Sequence, residues 1–292
     1  MSGWRADGRV STSLARSQAV RVGPGTGKAE AIEARPHDFA PLFPPAAIPL
    51  ELSSRYSGAV LASGPWGYWR FEDDTDTVFR NEIAGGPVIR ATGDIARRAA
   101  PGSNHWLVFP GEGKDAGTHA LMDDVWPRSR DPRYAIELWF DAENFANSTL
   151  VALLGTEKPL PHNNHLGVIE MRANRQEPGG IRFLHRWPAG PDRGVNISSH
   201  QIYFPCRWTH LVAQCDGSRL QLILDGVPVA ESPLPPDLAS GPCHVLLGRL
   251  VQPSFEPTKS ELFRLFRGGL DELALYDRPL SLEEIKTHIQ AR

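Results

Sequence analysis

The chain has 292 residues, enough to bury one substantial core. Hydrophobic residues make up 41% and charged residues 22%, as in soluble globular proteins, and 26 prolines with 27 glycines demand frequent turns, favouring an all-β over an all-α fold. A formal net charge of -3 leaves no basic footprint, which argues against nucleic acid and anionic membrane as partners.

The start, MSGWRADGRVSTSLARS, lacks the apolar segment of a secretory signal, and no apolar run approaches the roughly 18 residues of a membrane span, so no direct membrane insertion is expected. By itself the chain reads as cytoplasmic. Residues 1–54 hold a short β-like patch, Ser17 to Val22, a glycine turn at Gly23 to Gly27, and the proline-rich RPHDFAPLFPPAAIP. Prolines from Pro36 to Pro49 remove ladder donors, so this stretch reads as a tail or linker before a globular domain over residues 55–292.

From Tyr68 onward, short runs alternate with turn signals. In Arg133 to Phe140, Tyr134, Ile136, Leu138 and Phe140 share one face and Ala135, Glu137 and Trp139 the other; both faces are partly apolar, which predicts a central strand. Further strands are predicted at Thr149 to Leu154, Leu166 to Arg172, Ile181 to His185, Thr209 to Cys215, Leu220 to Asp225, His244 to Gly248 and Leu270 to Asp277. Two Asp-Gly pairs, Asp216-Gly217 and Asp225-Gly226, bracket RLQLIL and supply the positive φ angles of tight hairpins. Near the C-terminus, Ser281 and Glu284 form a capping box, Leu280 can staple onto Ile285, and Leu282, Ile285 and Ile289 give a short α-helix an apolar stripe. Trp66, Trp69, Trp139 and Trp208 fall at strand positions and read as core. Three cysteines, Cys206, Cys215 and Cys243, make no CxxC pair and no disulfide framework; Cys215 reads as a buried thiol.

Three segments resemble the laminin-G-like, concanavalin A-like jelly roll: YSGAVLASGPWGYWRFED, YAIELWF, and the pairing of RWTHLVAQCDGSRLQLILDGVPVA with GGLDELALYDRPLSLEEIKTHI. The resemblance implies a two-sheet antiparallel β-sandwich with a short C-terminal helix. It also implies one structural calcium ion, carried residue by residue onto Glu72, Asn81 and Asp271. Alternation in GLDELALYD independently puts Asp271 on a face with Leu273 and Leu275, where a carboxylate needs a cation or donors. Backbone amides, or an arginine such as Arg70, would serve equally. The N-terminal RVSTSLARSQAVRVGPGTGKAEAIEARPHDFAPLFP resembles the last strands of a FecR-type envelope-signalling domain. That resemblance implies a longer, membrane-anchored protein and an extracytoplasmic place, in the periplasm or at the cell surface.

Retaining glycosidases need two carboxylates on one face about 5 Å apart. Their E-x-D-x-x-E spacing is absent, and in the run Glu72-Asp73-Asp74-Thr75-Asp76 a threonine, Thr77, stands where the second glutamate belongs. A divergent hydrolase would have to use acids such as Glu137 or Glu170 facing each other in a cleft. His162 and His165, three apart, read as a solvated loop without a third zinc ligand. The stretch Phe183 to Pro188 reads as a strand entering a loop: Trp187, beside Arg186, His185 and Asn196, can stack a sugar, or else packs its own loop. The expected function is a non-catalytic binding module for carbohydrate or a cell-surface protein, with a structural or signalling appendage as the alternative.

Overall fold

The computed structural model describes residues 50–99, 104–111, 118–156, 165–173, 178–188, 194–199, 202–250 and 264–292, and three N-terminal strands. Those strands, β1 (Ser11–Ser13), β2 (Gln18–Val22) and β3 (Ala29–Glu33), make a small antiparallel sheet around the sequence-predicted β patch.

Two eight-stranded antiparallel sheets face each other across the main core. The first runs through β17 (Val227–Pro233), β16 (Arg219–Leu224), β15 (Thr209–Cys215), β10 (Tyr134–Ala142), β19 (Arg267–Tyr276), β8 (His105–Pro110) and β7 (Ala96–Ala99), with β4 (Gly67–Trp69) also paired to β19. The second runs through β14 (Val195–Ser198), β13 (Pro178–His185), β12 (His165–Ala173), β11 (Ser148–Gly155), β18 (Cys243–Leu247), β9 (His119–Met122), β6 (Ile89–Thr92) and β5 (Val78–Phe79). All eight expected strands are present, and the fold is the expected two-sheet jelly-roll sandwich.

β10 is central as its two apolar faces predict. Tyr134, Ile136, Leu138 and Phe140 enter the core between the sheets, while Ala135 and Trp139 enter a second cluster on the outer side. That cluster is roofed by α2 (Leu282–Gln290), the expected C-terminal helix, and by α1 (Ser54–Ala62), which sequence reasoning did not find. Tyr56 and Val60 of α1 pack there beside Leu280 and Ile285. The capping box forms in full: Ser281 Oγ accepts from Glu284 N, and Ser281 N donates to Glu284. The predicted stripe is corrected at one position. Leu282 is 42% exposed, and His288 takes the buried place instead, because Glu137 lies directly beneath it.

The hairpins differ in their turns. Asp225 and Gly226 have φ of 47° and 75°, positive at both central residues as a type I′ turn requires. At the other turn only Gly217 is positive, and Asp216 Oδ1 instead accepts from Ser218 N and Arg219 N.

Candidate functional site

Sheet alternation decides which face of the sandwich a carboxylate occupies. Asp271 was expected on the face of Leu273 and Leu275. The structure corrects this: Glu272 has φ of 52° and occupies a bulge in β19, where pairing with β10 shifts between Glu137 and Trp139. The extra residue flips the parity. Asp271 therefore pairs with Trp139 on the outer side, while Leu273 and Leu275 stay in the core between the sheets.

Asp271 is fully buried; its Oδ2 accepts from Asn104 Nδ2 at 2.9 Å and its Oδ1 from Glu272 N at 2.8 Å. Burial, then repulsion from Glu272, pushes its carboxyl well above the usual range. Glu272 accepts from Tyr68 Oη and from Arg70 Nε, and Glu72 pairs with His105 at 2.6 Å. Asn81 Oδ1 accepts from Tyr68 N and Ile83 N and so ties the loop after β5 to β4. Carboxylate and amide oxygens are what calcium takes. Glu72 and Asp271 fit that chemistry, together with Asn104, whose buried Oδ1 has no hydrogen-bond partner among the described residues. Asn81 does not fit, since both its neighbouring amides already claim its oxygen. Among the described residues, no group of three or more His, Cys, Asp or Glu side chains is gathered as a metal-ligand set.

The residues nominated around Trp187 divide between two faces. In the pairing of β13 with β14, Phe183 opposes Ile197 in the core, so Leu184 and Asn196 point outward and His185 points inward. His185 is 1% exposed, held between Tyr134 Oη at 3.0 Å and Ala239 O at 2.8 Å, and burial pulls its pKa down to about 4. Arg186 is buried as well. Trp187 is half-buried against the core with its ring on Gly241, where any Cβ would collide with it. Asn196 is exposed and accepts from Arg182 Nε at 2.9 Å. Packing therefore accounts for Trp187 and His185. His162 lies outside the described residues, and His165 is buried.

The two acids considered for hydrolysis stand on opposite outer faces. Glu137, fully buried beneath α2, accepts from His210 Nε2 at 2.8 Å, His288 Nδ1 at 2.9 Å and Tyr276 Oη at 2.8 Å. Burial alone would raise its pKa, but the bonds from His210 and His288 hold it well below the usual carboxylate range. Glu170 lies on the outward side of the second sheet, since its neighbours Ile169 and Met171 enter the core. It accepts from Arg172 at 2.9 Å, Arg182 at 2.8 Å and Arg264. Sequence spacing did not single out this arginine cluster, because β12, β13 and the segment after residue 263 bring its members together.

A family model described as the concanavalin A-like lectin/glucanases superfamily matches residues 115–286, more than half of the chain. The chain belongs to this superfamily. Among solved structures, the concanavalin A-like sandwich is similar to domain 4 of AbnA, an extracellular arabinanase from Geobacillus stearothermophilus, in complex with arabinotriose. That match has a TM-score of 0.54 at 15% identity and covers 77% of this chain and 97% of that domain. It is also similar to the binding domain of botulinum neurotoxin DC in complex with SialylT, with a TM-score of 0.57 at 7% identity, over 78% of this chain and 51% of that one. The sialidase of Trypanosoma rangeli in complex with sialic acid matches with a TM-score of 0.53 at 16% identity, over 78% of this chain but 33% of the enzyme. At such identities the likeness is one of fold. A search of curated proteins found no match.

Proposed function

We infer that the chain is a non-catalytic module that binds carbohydrate outside the cytoplasm. The carrying observation is the placement of Glu137 and Glu170 on opposite outer faces of a sandwich whose sheets stack about 10 Å apart. Two such groups cannot cooperate as a retaining pair, which needs about 5 Å, and each is already held by two or more basic side chains. The carbohydrate part draws support from the superfamily and from the arabinotriose-bound domain, nearly all of which the sandwich spans. The extracytoplasmic part, and a link to a FecR-type signalling protein, rest on the N-terminal resemblance alone.

A glycan array tests this, paired with reducing-sugar release from every glycan that binds. Binding without hydrolysis is expected. Hydrolysis would overturn the non-catalytic reading, and silence across the array would turn the reading toward a cell-surface protein ligand. A structural calcium ion belongs to the same proposal, held by Glu72 and Asp271.

A further inference from the structure

On the outer side of the first sheet, one row of positions carries small side chains. Leu107, Phe109, Leu270 and Phe140 enter the core, so the residues that alternate with them on β8, β19 and β10 face outward. In that outward register Ala96, Val108, Gly269 and Asp141 succeed one another across β7, β8, β19 and β10, over about 14 Å at the usual strand spacing. Trp106 stands on one side of this row. On the other, Arg267 pairs with Glu143 at 2.6 Å.

Trp106 and Trp208 meet over Gly269 as a T-shaped pair with ring centroids 5.7 Å apart. A Cβ at Gly269 would stand 2.7 Å from Trp208 Cη2 and 3.1 Å from Trp106 Cδ1, so glycine is what admits both indoles. Trp106 approaches the glycine through that ring-edge atom and is half-buried, whereas Trp187 lays its six-membered ring on Gly241. Asp141, directly across from Gly269, is 8% exposed, unlike the sealed Glu137 and Asp271. It accepts from the backbone amide of Arg207, but its buried Oδ1 has no hydrogen-bond partner among the described residues, and such an acceptor is costly to leave unpaired. Glu143 stands near it on the same strand, Arg267 of β19 engages Glu143, and the Arg207 side chain pairs with Asp225 at 3.6 Å. One register step away, Asp271 and His210 flank Trp139. A ligand that answers both features brings an apolar ring face to Trp106 and hydroxyl donors to Asp141. A β-linked pyranose has both, with axial C–H bonds on its faces and equatorial hydroxyls around its rim.

We propose that Trp106, braced by Trp208 over Gly269, stacks a pyranose ring of a neutral oligosaccharide while Asp141 accepts from its hydroxyls. The remaining sugars lie along the row toward Ala96. This subsite rests on the carbohydrate-binding reading and gives it a place on the outer side of the first sheet.

The test is calorimetric titration of the full chain with cellotetraose, xylotetraose and galactotetraose at pH 5 and pH 8. At least one should bind, threefold or more tighter at pH 8, because the ionised carboxylate is the stronger acceptor and Asp141 gives up its proton at about 7. Trp106→Ala should weaken that binding tenfold or more. Asp141→Asn, which replaces a buried acid by its neutral isostere, should bind equally at both pH values, and it tests the subsite if Trp106→Ala melts early. An affinity equal at both pH values in the parent, or untouched by both variants, overturns the subsite. Failure of all three probes overturns it too, and a positive glycan array then leaves carbohydrate binding standing elsewhere on the chain. A silent array removes the carbohydrate reading and the subsite with it.

Discussion

Trp187 shows how one contact decides a residue's role. A sugar platform must present a free ring face, yet this ring sits on Gly241 and against the core. Trp187→Ala is therefore expected to cost about 3 kcal/mol in urea unfolding, as removal of a large packed aromatic does. Unchanged stability with lost ligand binding would return it to the platform role. Asp141 makes a second residue-scale case. Burial, and then Glu143 nearby, pushes its carboxyl up to about 7. Between the ordinary carboxylate range and pH 7 the folded chain thus binds more protons than the unfolded one, and this group's contribution to stability falls as pH rises. Asp141→Asn should match the parent near pH 4 and gain on it steadily to pH 8. His185 works with the opposite sign. With its pKa pulled down to about 4, it charges in the unfolded chain first, so stability drops as pH falls from about 6.5 toward 4. His185→Gln should flatten that acid limb. Equal slopes for parent and variant would show that His185 is not the titrating group.

At the scale of elements, the turn at Asp225-Gly226 and the capping box are local devices that also fix tertiary contacts. Gly226 has φ of 75°, and a Cβ there would approach Ile289 Cδ1 of α2 to 3.2 Å. Gly226→Ala is expected to cost about 1–2 kcal/mol through the left-handed backbone alone, and a melting temperature equal to the parent's would contradict the type I′ geometry. Ser281→Ala removes one half of the cap and should cost about 1 kcal/mol. These elements were legible because their information is local: a turn dipeptide, a capping pair, an alternating run such as YAIELWF. The bulge at Glu272 was not legible, since the polar pair Asp271-Glu272 in GLDELALYD fits more than one register and only pairing with β10 shows where the extra residue lies. Helix α1 was hidden for a similar reason. Its sequence SRYSGAVLA carries a glycine and no acidic residue in its first turn, and packing of Tyr56 and Val60 on the first sheet supplies what propensity does not.

Over the whole molecule, charge is managed by enclosure. Glu137, Glu170 and the pair Asp271 and Glu272 are all buried outside the central core, each among donors from separate elements. Calcium at Glu72 and Asp271 would offset the burial and the repulsion from Glu272 that raise Asp271, so a chelator should lower the melting temperature, and Asp271→Asn should remove that sensitivity. Identical melting curves in calcium and in chelator would instead leave Arg70 as the cation balancing these carboxylates.

By itself the sequence determined the sandwich, its eight foreseen strands, the central place of β10 and the capped terminal helix, because hydrophobic period, turn chemistry and capping act within a few residues. Tertiary structure alone decided where the candidate residues stand. It placed Asn196 and His185 on opposite faces, seated Trp187 on Gly241, engaged Asn81 Oδ1 with the amides of Tyr68 and Ile83, and drew three arginines onto Glu170. Each of these depends on strand register and on which chain segments cross one another, and such pairings are long-range contacts that no local pattern encodes.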